Sequence, residues 1–334
     1  MKFRLLIPAG FLLLCSCDEG ARRPAPGEEE PPIALSPQAE GFSGRNAYVH
    51  CARLCALGPR PTGSAAYTRQ LSYLTEQLRT AGWEVKPQPF SLSNGAGMVN
   101  LHAFFGSPEK QRPLLISCHI DTKSGIPGFV GADDGASGAA LLLELARCLA
   151  ANPEQAAQVE LVFFDGEESF GRRMTETDGL YGSRYDVMRR RGKLPRWQIN
   201  LDMLGGRNKT VAVPLLDSSP ALLEHYERTV DELQLPAEKW LIYPGSYLDD
   251  HRPFAEAGVE TLNLICVFSR ENWWHTEQDN MSRISSASLK ESGRVVMQLI
   301  RRLTEAEALN TGDAASPAET SAERGTAPAY PEVP

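Results

Sequence analysis

The 334-residue chain has no excess of positive charge: 34 Lys and Arg stand against 42 Asp and Glu, for a formal net charge of −8. That balance argues against a nucleic-acid binder, which needs a basic surface. Long hydrophobic runs are also absent. The apolar stretch from Leu5 to Leu14 is shorter than the roughly 17–25 residues a membrane-spanning helix requires. Cysteine is sparse and unpaired in pattern: Cys51 and Cys55 lie four apart in a helix-like segment, Cys118 and Cys266 end apolar strand-like runs, and Cys148 falls in a helical one. Neither a disulfide scaffold nor a zinc-type cysteine cluster follows from such spacing, and buried free thiols are expected. No Gly-x-Ser-x-Gly elbow occurs, and the Gly135 to Gly138 stretch lacks the Lys of a phosphate-binding loop, so a serine hydrolase and a nucleotide site are both unsupported.

What is present is an ordinary globular composition, 42% hydrophobic and 23% charged, distributed unevenly. Met1-Lys2-Phe3-Arg4, the apolar run and Cys15-Ser16-Cys17 have the layout of a signal peptide over residues 1–17. Leu14-Cys15-Ser16-Cys17 resembles the lipobox of bacterial lipoproteins, which implies that Cys17 is lipidated and becomes the mature N-terminus; an ordinary cleaved signal is the alternative. The expectation is an exported chain facing the periplasm or cell exterior, with a lipid on Cys17 as its membrane attachment. Residues 18–42, rich in Pro, Gly and charge without periodicity, read as a disordered tether. Residues 307–334, which turn to Ala, Ser, Thr, Glu, Gly and Pro, read as a disordered tail.

Residues 43–306 alternate between helical and strand-like patterns and are expected to form one catalytic domain. Helical periodicity marks 65–82, 135–150, 220–234 and 286–303; extended or apolar runs mark 83–90, 113–118, 159–164, 198–203 and 261–267. This predicts an α/β fold: a mixed, mostly parallel central sheet with helices on both faces. In such sheets ligands bind beyond the carboxyl ends of the strands. There this chain collects its chemistry-bearing residues: His119 and Asp121, Asp133 and Asp134, Asp165 with Glu167 and Glu168, Asp202, Asp249-Asp250-His251, and Trp274-His275.

Each of these has an inert reading. An acidic pair in a loop is usually solvated surface, a strand-end Asp is often a cap, and His119 alone could be a hydrogen-bonded core histidine. Their joint occurrence at strand ends favours a catalytic Zn²⁺ site of imidazole and carboxylate ligands. Adjacent Glu167 and Glu168 then divide the work, one binding metal and the other handling protons.

The segments His119-Ile120-Asp121-Thr122-Lys123, Gly131-Ala132-Asp133-Asp134, Phe163 to Glu168, Asp178 to Arg184, Leu201 to Gly205, Asp249 to Phe254 and Trp274 to Asn280 resemble animal-type glutaminyl-peptide cyclotransferases. That group lies within the clan of M28 zinc aminopeptidases. The resemblance runs from about Gly58 to the closing helix. It implies one zinc held by Asp134, Glu168 and His275, with Glu167 as general acid and base. Asp202 and Asp249 would form an acidic network beside it, and Trp274 would wall a pocket for N-terminal glutamine. The implied partners are peptides or proteins that begin with Gln.

The chain also departs from that family. A second pocket Trp expected after the metal Glu is missing from Ser169-Phe170-Gly171-Arg172-Arg173-Met174, where Arg173 falls nearest its place. Ala139 stands where a cysteine partner for Cys118 would be, so Cys118 is expected to stay free. Trp273, the other half of a tryptophan doublet, is expected in surface or interface packing. Two other readings stay open. A two-zinc aminopeptidase would use His119 and Asp202 for a second metal, Asp134 as the bridge and Glu167 to activate water; a non-catalytic lipoprotein binding module would need a lost ligand, and none is lost.

Overall fold

The computed structural model describes residues 34–36, 38–190, 192–268 and 272–313. The leader, Cys17 and the tether up to residue 33 lie outside the described residues, as does the tail beyond 313. Chain order gives α1 (Gly44–Cys55), α2 (Ala65–Thr80), the hairpin β1 (Glu84–Ser91) and β2 (Gly97–Phe104), then β3 (Leu114–His119), α3 (Ala136–Ala150), α4 (Pro153–Ala156) and β4 (Val159–Phe164). There follow α5 (Tyr181–Arg190), β5 (Trp197–Asp202), β6 (Val211–Pro214), α6 (Pro220–Glu232), β7 (Trp240–Tyr243), α7 (Arg252–Glu256), β8 (Glu260–Cys266) and α8 (Ser286–Asp313). Ser43, Ser64 and Ser219 accept the first free amides of α1, α2 and α6, which is why those helices begin where they do.

The eight strands form one mixed sheet in the order β1-β2-β4-β3-β5-β8-β6-β7. Its centre, β4-β3-β5-β8, is parallel, with β2 antiparallel to β4 and β6 antiparallel to β8. Strand alternation divides the core. Leu114, Ile116, Leu161 and Phe163 face the main cluster under α1, α2, α3, α6 and α8, while Leu115, Val162 and Phe164 face a smaller one closed by Phe254 of α7. A strand covered on both faces must be apolar throughout, which is why β3 and β4 read as continuous hydrophobic runs. The α/β expectation, with helices on both faces, is met.

Both domain edges shift outward. The tether expected through residue 42 packs at its end: Phe42 is buried, Arg147 donates to the carbonyls of Ala39 and Gly41, and Gly293 of α8 leaves room for the Phe42 ring. The closing helix continues to Asp313, past the expected boundary at 306. Thr304 donates back to the Ile300 carbonyl, Arg196 pairs with Glu307 at 3.0 Å, and the Glu305 to Leu309 segment holds good helix formers.

Helix α3 lies close on the sheet because Gly138 has no side chain. A Cβ there would come within 2.8 Å of the Cys118 Cβ and 2.9 Å of the Leu201 carbonyl oxygen. Gly138→Ala is predicted to destabilise the fold by about 1–3 kcal/mol, as overpacking does. The denaturant midpoint of the variant measures this, and an unchanged midpoint would contradict it.

Candidate metal and active site

The parallel strands end along one edge and deliver the acids and histidines there. His119 closes β3, Asp165 to Glu168 follow β4, Asp202 closes β5, and His275 lies in the loop after β8. Asp134 occupies the turn before α3.

Two further carboxylates fix these turns from behind. Asp121 accepts the Glu167 amide at 3.1 Å and the Glu168 amide at 3.2 Å, one on each oxygen. Asp279 does the same for the amides of Asp133 and Asp134, at 2.8 and 3.0 Å. The Leu180 to Arg184 run secures the Glu167 turn from the other side. Leu180 and Tyr181 donate amides to the carbonyls of Glu167 and Gly166, and the Ser183 hydroxyl donates to Asp250 at 2.5 Å. Gly182 packs so tightly that a Cβ would meet the Asp165 carbonyl oxygen at 2.4 Å. Asp249 is held by the sheet, accepting from Asn200 at 3.0 Å and Asn263 at 2.9 Å.

Two donor sets result, each with ligand atoms within 4.8 Å of one another: Asp134, Glu168 and His275, and His119, Asp134 and Asp202. Asp134 belongs to both. In the first set His275 Nε2 lies 3.1 Å from Glu168 Oε1 and 3.4 Å from Asp134 Oδ2. In the second, His119 Nε2 lies 3.1 Å from Asp134 Oδ1 and 3.2 Å from Asp202 Oδ1. Glu167 belongs to neither set.

Burying these carboxylates together is electrostatically costly. Burial pushes the Glu167 carboxyl well above the usual range, against the pull of His119 and with the help of Glu168, Asp249 and Asp250. It pushes Asp202 up to about 8, opposed by the His119 hydrogen bond and reinforced by Asp249. Glu168 is raised by burial and then by Asp134. Of these, Asp134 ends below its ordinary value, since its burial is outweighed by the contacts with His119 and His275. Asp134 Oδ2 is buried and, among the described residues, has only the 3.4 Å approach of His275 Nε2, too poorly placed for a full hydrogen bond. An under-satisfied carboxylate oxygen, mutually raised acids and an all-oxygen-and-imidazole donor set together fit a divalent cation such as zinc.

The donor sets form the floor of a cleft of about 920 Å³. Trp274 stacks on His275 with ring centroids 3.9 Å apart, and Phe268 packs against the indole at 4.6 Å. Trp274 remains 38% exposed and lines the cleft. His275 and Met203 hold φ of 52° and 53°, left-handed values uncommon outside glycine, and both border this floor.

The residues that the resemblance assigns to the site meet in one place: Asp134, Glu167, Glu168, Asp202, Asp249, Trp274 and His275 line the cleft, with His119 beside Asp134; Asp121, Asp133, Asp165, Asp250 and His251 do not line it. Arg173 lines it too. Trp273 departs from expectation. It is buried with Met203, Ile265 and Cys266 rather than at a surface. Cys118 is free and buried, as expected. The anchoring roles of Asp121 and Asp279 were not read from the sequence; their place inside the acidic and Trp-His segments was the available signal.

Residues 100–300 match peptidase family M28. The chain is 31% identical over 278 residues to a glutaminyl-peptide cyclotransferase-like protein of Mus musculus, covering 71% of this chain and 70% of the relative. The solved glutaminyl cyclase of Porphyromonas gingivalis superposes with a TM-score of 0.71 at 28% identity, covering 79% of this chain and all of that one. A Zn-dependent exopeptidase of Parabacteroides distasonis superposes with a TM-score of 0.68 at 25% identity, over 78% of this chain and 98% of its own.

Since Asp279 orients Asp134 only through backbone amides, Asp279→Ala is predicted to leave the chain folded and weaken zinc affinity about 10- to 100-fold. Competition with a chromophoric chelator measures the affinity, and a value equal to that of the parent chain would contradict the assignment.

Proposed function

The chain belongs to peptidase family M28 and to its glutaminyl-peptide cyclotransferase branch, and on that premise we propose that it cyclises N-terminal glutamine to pyroglutamate with release of ammonia. The observation that carries this reading is the wall beside the metal set. Trp274 stacks on His275, packs against Phe268 and keeps exposed surface in the cleft, so the aliphatic stem of a glutamine can pack against that aromatic wall while its γ-amide reaches the floor.

Asp134, Glu168 and His275 would hold one zinc, which when bound supplies Lewis-acid polarisation of the γ-amide carbonyl. The neutral α-amine attacks the carbonyl carbon of its own side chain, so the reaction is intramolecular and needs orientation more than a second reactant. Glu167 takes the proton that the amine loses as the C–N bond forms, then gives it to the departing nitrogen, which leaves as ammonia. Asp249, fixed by Asn200 and Asn263, raises the proton affinity of Glu167 and so favours the first transfer. Asp202 accepts from His119 and completes the acidic wall. The product has no charged N-terminus.

A second reading rests on a specific observation, the His119, Asp134 and Asp202 set. With a second zinc there, Glu167 would activate water and the chain would remove N-terminal residues. On the sequence alone we also propose export and anchoring through Cys17. Cys17→Ser is expected to move the protein out of the membrane fraction.

The full chain loaded with zinc is incubated with a Gln-initiated and a Leu-initiated peptide and followed by mass spectrometry. Loss of one ammonia from the Gln peptide alone is the expected result; removal of the first residue from either would establish the aminopeptidase. Glu167→Gln is predicted to lower kcat by about 10²- to 10⁴-fold with zinc content intact. A near-normal rate would contradict its role.

A further inference from the structure

The cleft has two electrostatic zones. Its floor is acidic, but Arg172 and Arg173 also line it, both with exposed side chains. Neither has an ion-pair partner among the described residues. The two carboxylates of the same loop leave them free: Glu176 forms no ion pair with either, and Asp178 accepts the Phe170 and Gly171 amides, each at 2.8 Å, and the Tyr181 hydroxyl at 2.8 Å. Those bonds, with the paired backbone of Thr175 and Asp178, shape the loop into a fixed turn, and Lys123 ties its start through the Ser169 carbonyl. Two unpaired guanidinium groups are thus presented at the rim by an ordered loop.

We propose that Arg172 and Arg173 form a subsite for carboxylate side chains, so that the preferred substrates are peptides whose N-terminal glutamine is followed by Asp or Glu at position two or three. This rests on the cyclotransferase reading of the site. With the glutamine beside Glu167 and Glu168, the following residues must run outward toward the mouth. Arg172 lies four residues after Glu168, within about 14 Å along the chain. Each extended substrate residue advances about 3.3 Å, so positions two and three fall within reach of an arginine side chain anchored at that distance. Guanidinium matches carboxylate with two parallel hydrogen bonds, which a lysine-bearing substrate cannot use and whose charge it meets with repulsion. The floor acids do not cancel this preference, because they are buried beneath the glutamine while the arginines meet the downstream side chains directly.

The test measures kcat/KM of the zinc-loaded full chain on three C-terminally amidated peptides: Gln-Glu-Glu-Ala, Gln-Ala-Ala-Ala and Gln-Lys-Lys-Ala. Two exposed charge contacts predict a preference of roughly 5- to 30-fold for the acidic over the basic peptide, shrinking in high salt. In R172Q/R173Q the ratio is expected to approach one, and in R172E/R173E to invert. Turnover of the neutral peptide with no acidic preference, or a preference that survives R172Q/R173Q, would overturn the subsite and leave the cyclotransferase reading standing. Failure to cyclise any of the three would overturn that reading and the subsite with it.

Discussion

Mutual repulsion among buried carboxylates is the constraint on which this site depends. Asp134, Glu167, Glu168, Asp202 and Asp249 converge at one edge of the sheet, all nearly excluded from water. Such a group holds together only if each charge is met by a fixed donor or a cation. The chain meets it in layers: amide-accepting Asp121 and Asp279 set the turns, two histidines pair with Asp134 and its neighbours, and Asn200 and Asn263 hold Asp249. The least satisfied atom is Asp134 Oδ2, met only by His275 Nε2 at 3.4 Å, on the residue the two donor sets share. The donor sets are of the kind that suit a divalent cation, whose charge would offset this repulsion.

Glu167 and Glu168 show how one dipeptide divides its labour. Their amides are pinned side by side on Asp121, so their side chains diverge: Glu168 turns to His275, while Glu167 stays out of both metal sets and keeps a high proton affinity. The Leu180 to Arg184 run matters for this reason. It touches no candidate ligand, yet its amides and Gly182 hold the far side of the same turn, and Ser183 links that turn to the segment carrying Asp249.

Elements with a single dominant environment were legible in the sequence. The strands β3 and β4 and the helix α3 are buried nearly all round, and α2 and α6 carry one apolar stripe each. Strand β2 was not seen because it buries polar residues, Asn100 against Asp165 and Gln88, and His102 against Glu160. Helix α5 escaped notice for a similar reason. Its Arg190 and Asp186 are paired inward with Glu160 and with each other, so its charges do not mark a solvent face. Strands β6 and β7 have four residues each, too few for a period to register. The ligands themselves stood out because histidines and acids at the ends of apolar runs are chemically conspicuous. Asp121 and Asp279 act on backbone amides, which leave no spacing in a sequence, and only the folded turns reveal them.

The central claim is that Asp134, Glu168 and His275 form a self-sufficient site for one zinc, with His119 and Asp202 serving as a hydrogen-bonded wall. Zinc content after exhaustive dialysis of the full chain, compared across the parent, His275→Ala and His119→Ala, tests it most directly. The account predicts one equivalent in the parent, loss of metal and activity in His275→Ala, and retained zinc in His119→Ala. Two equivalents in the parent, one of them lost in His119→Ala, or full occupancy in His275→Ala, would contradict it.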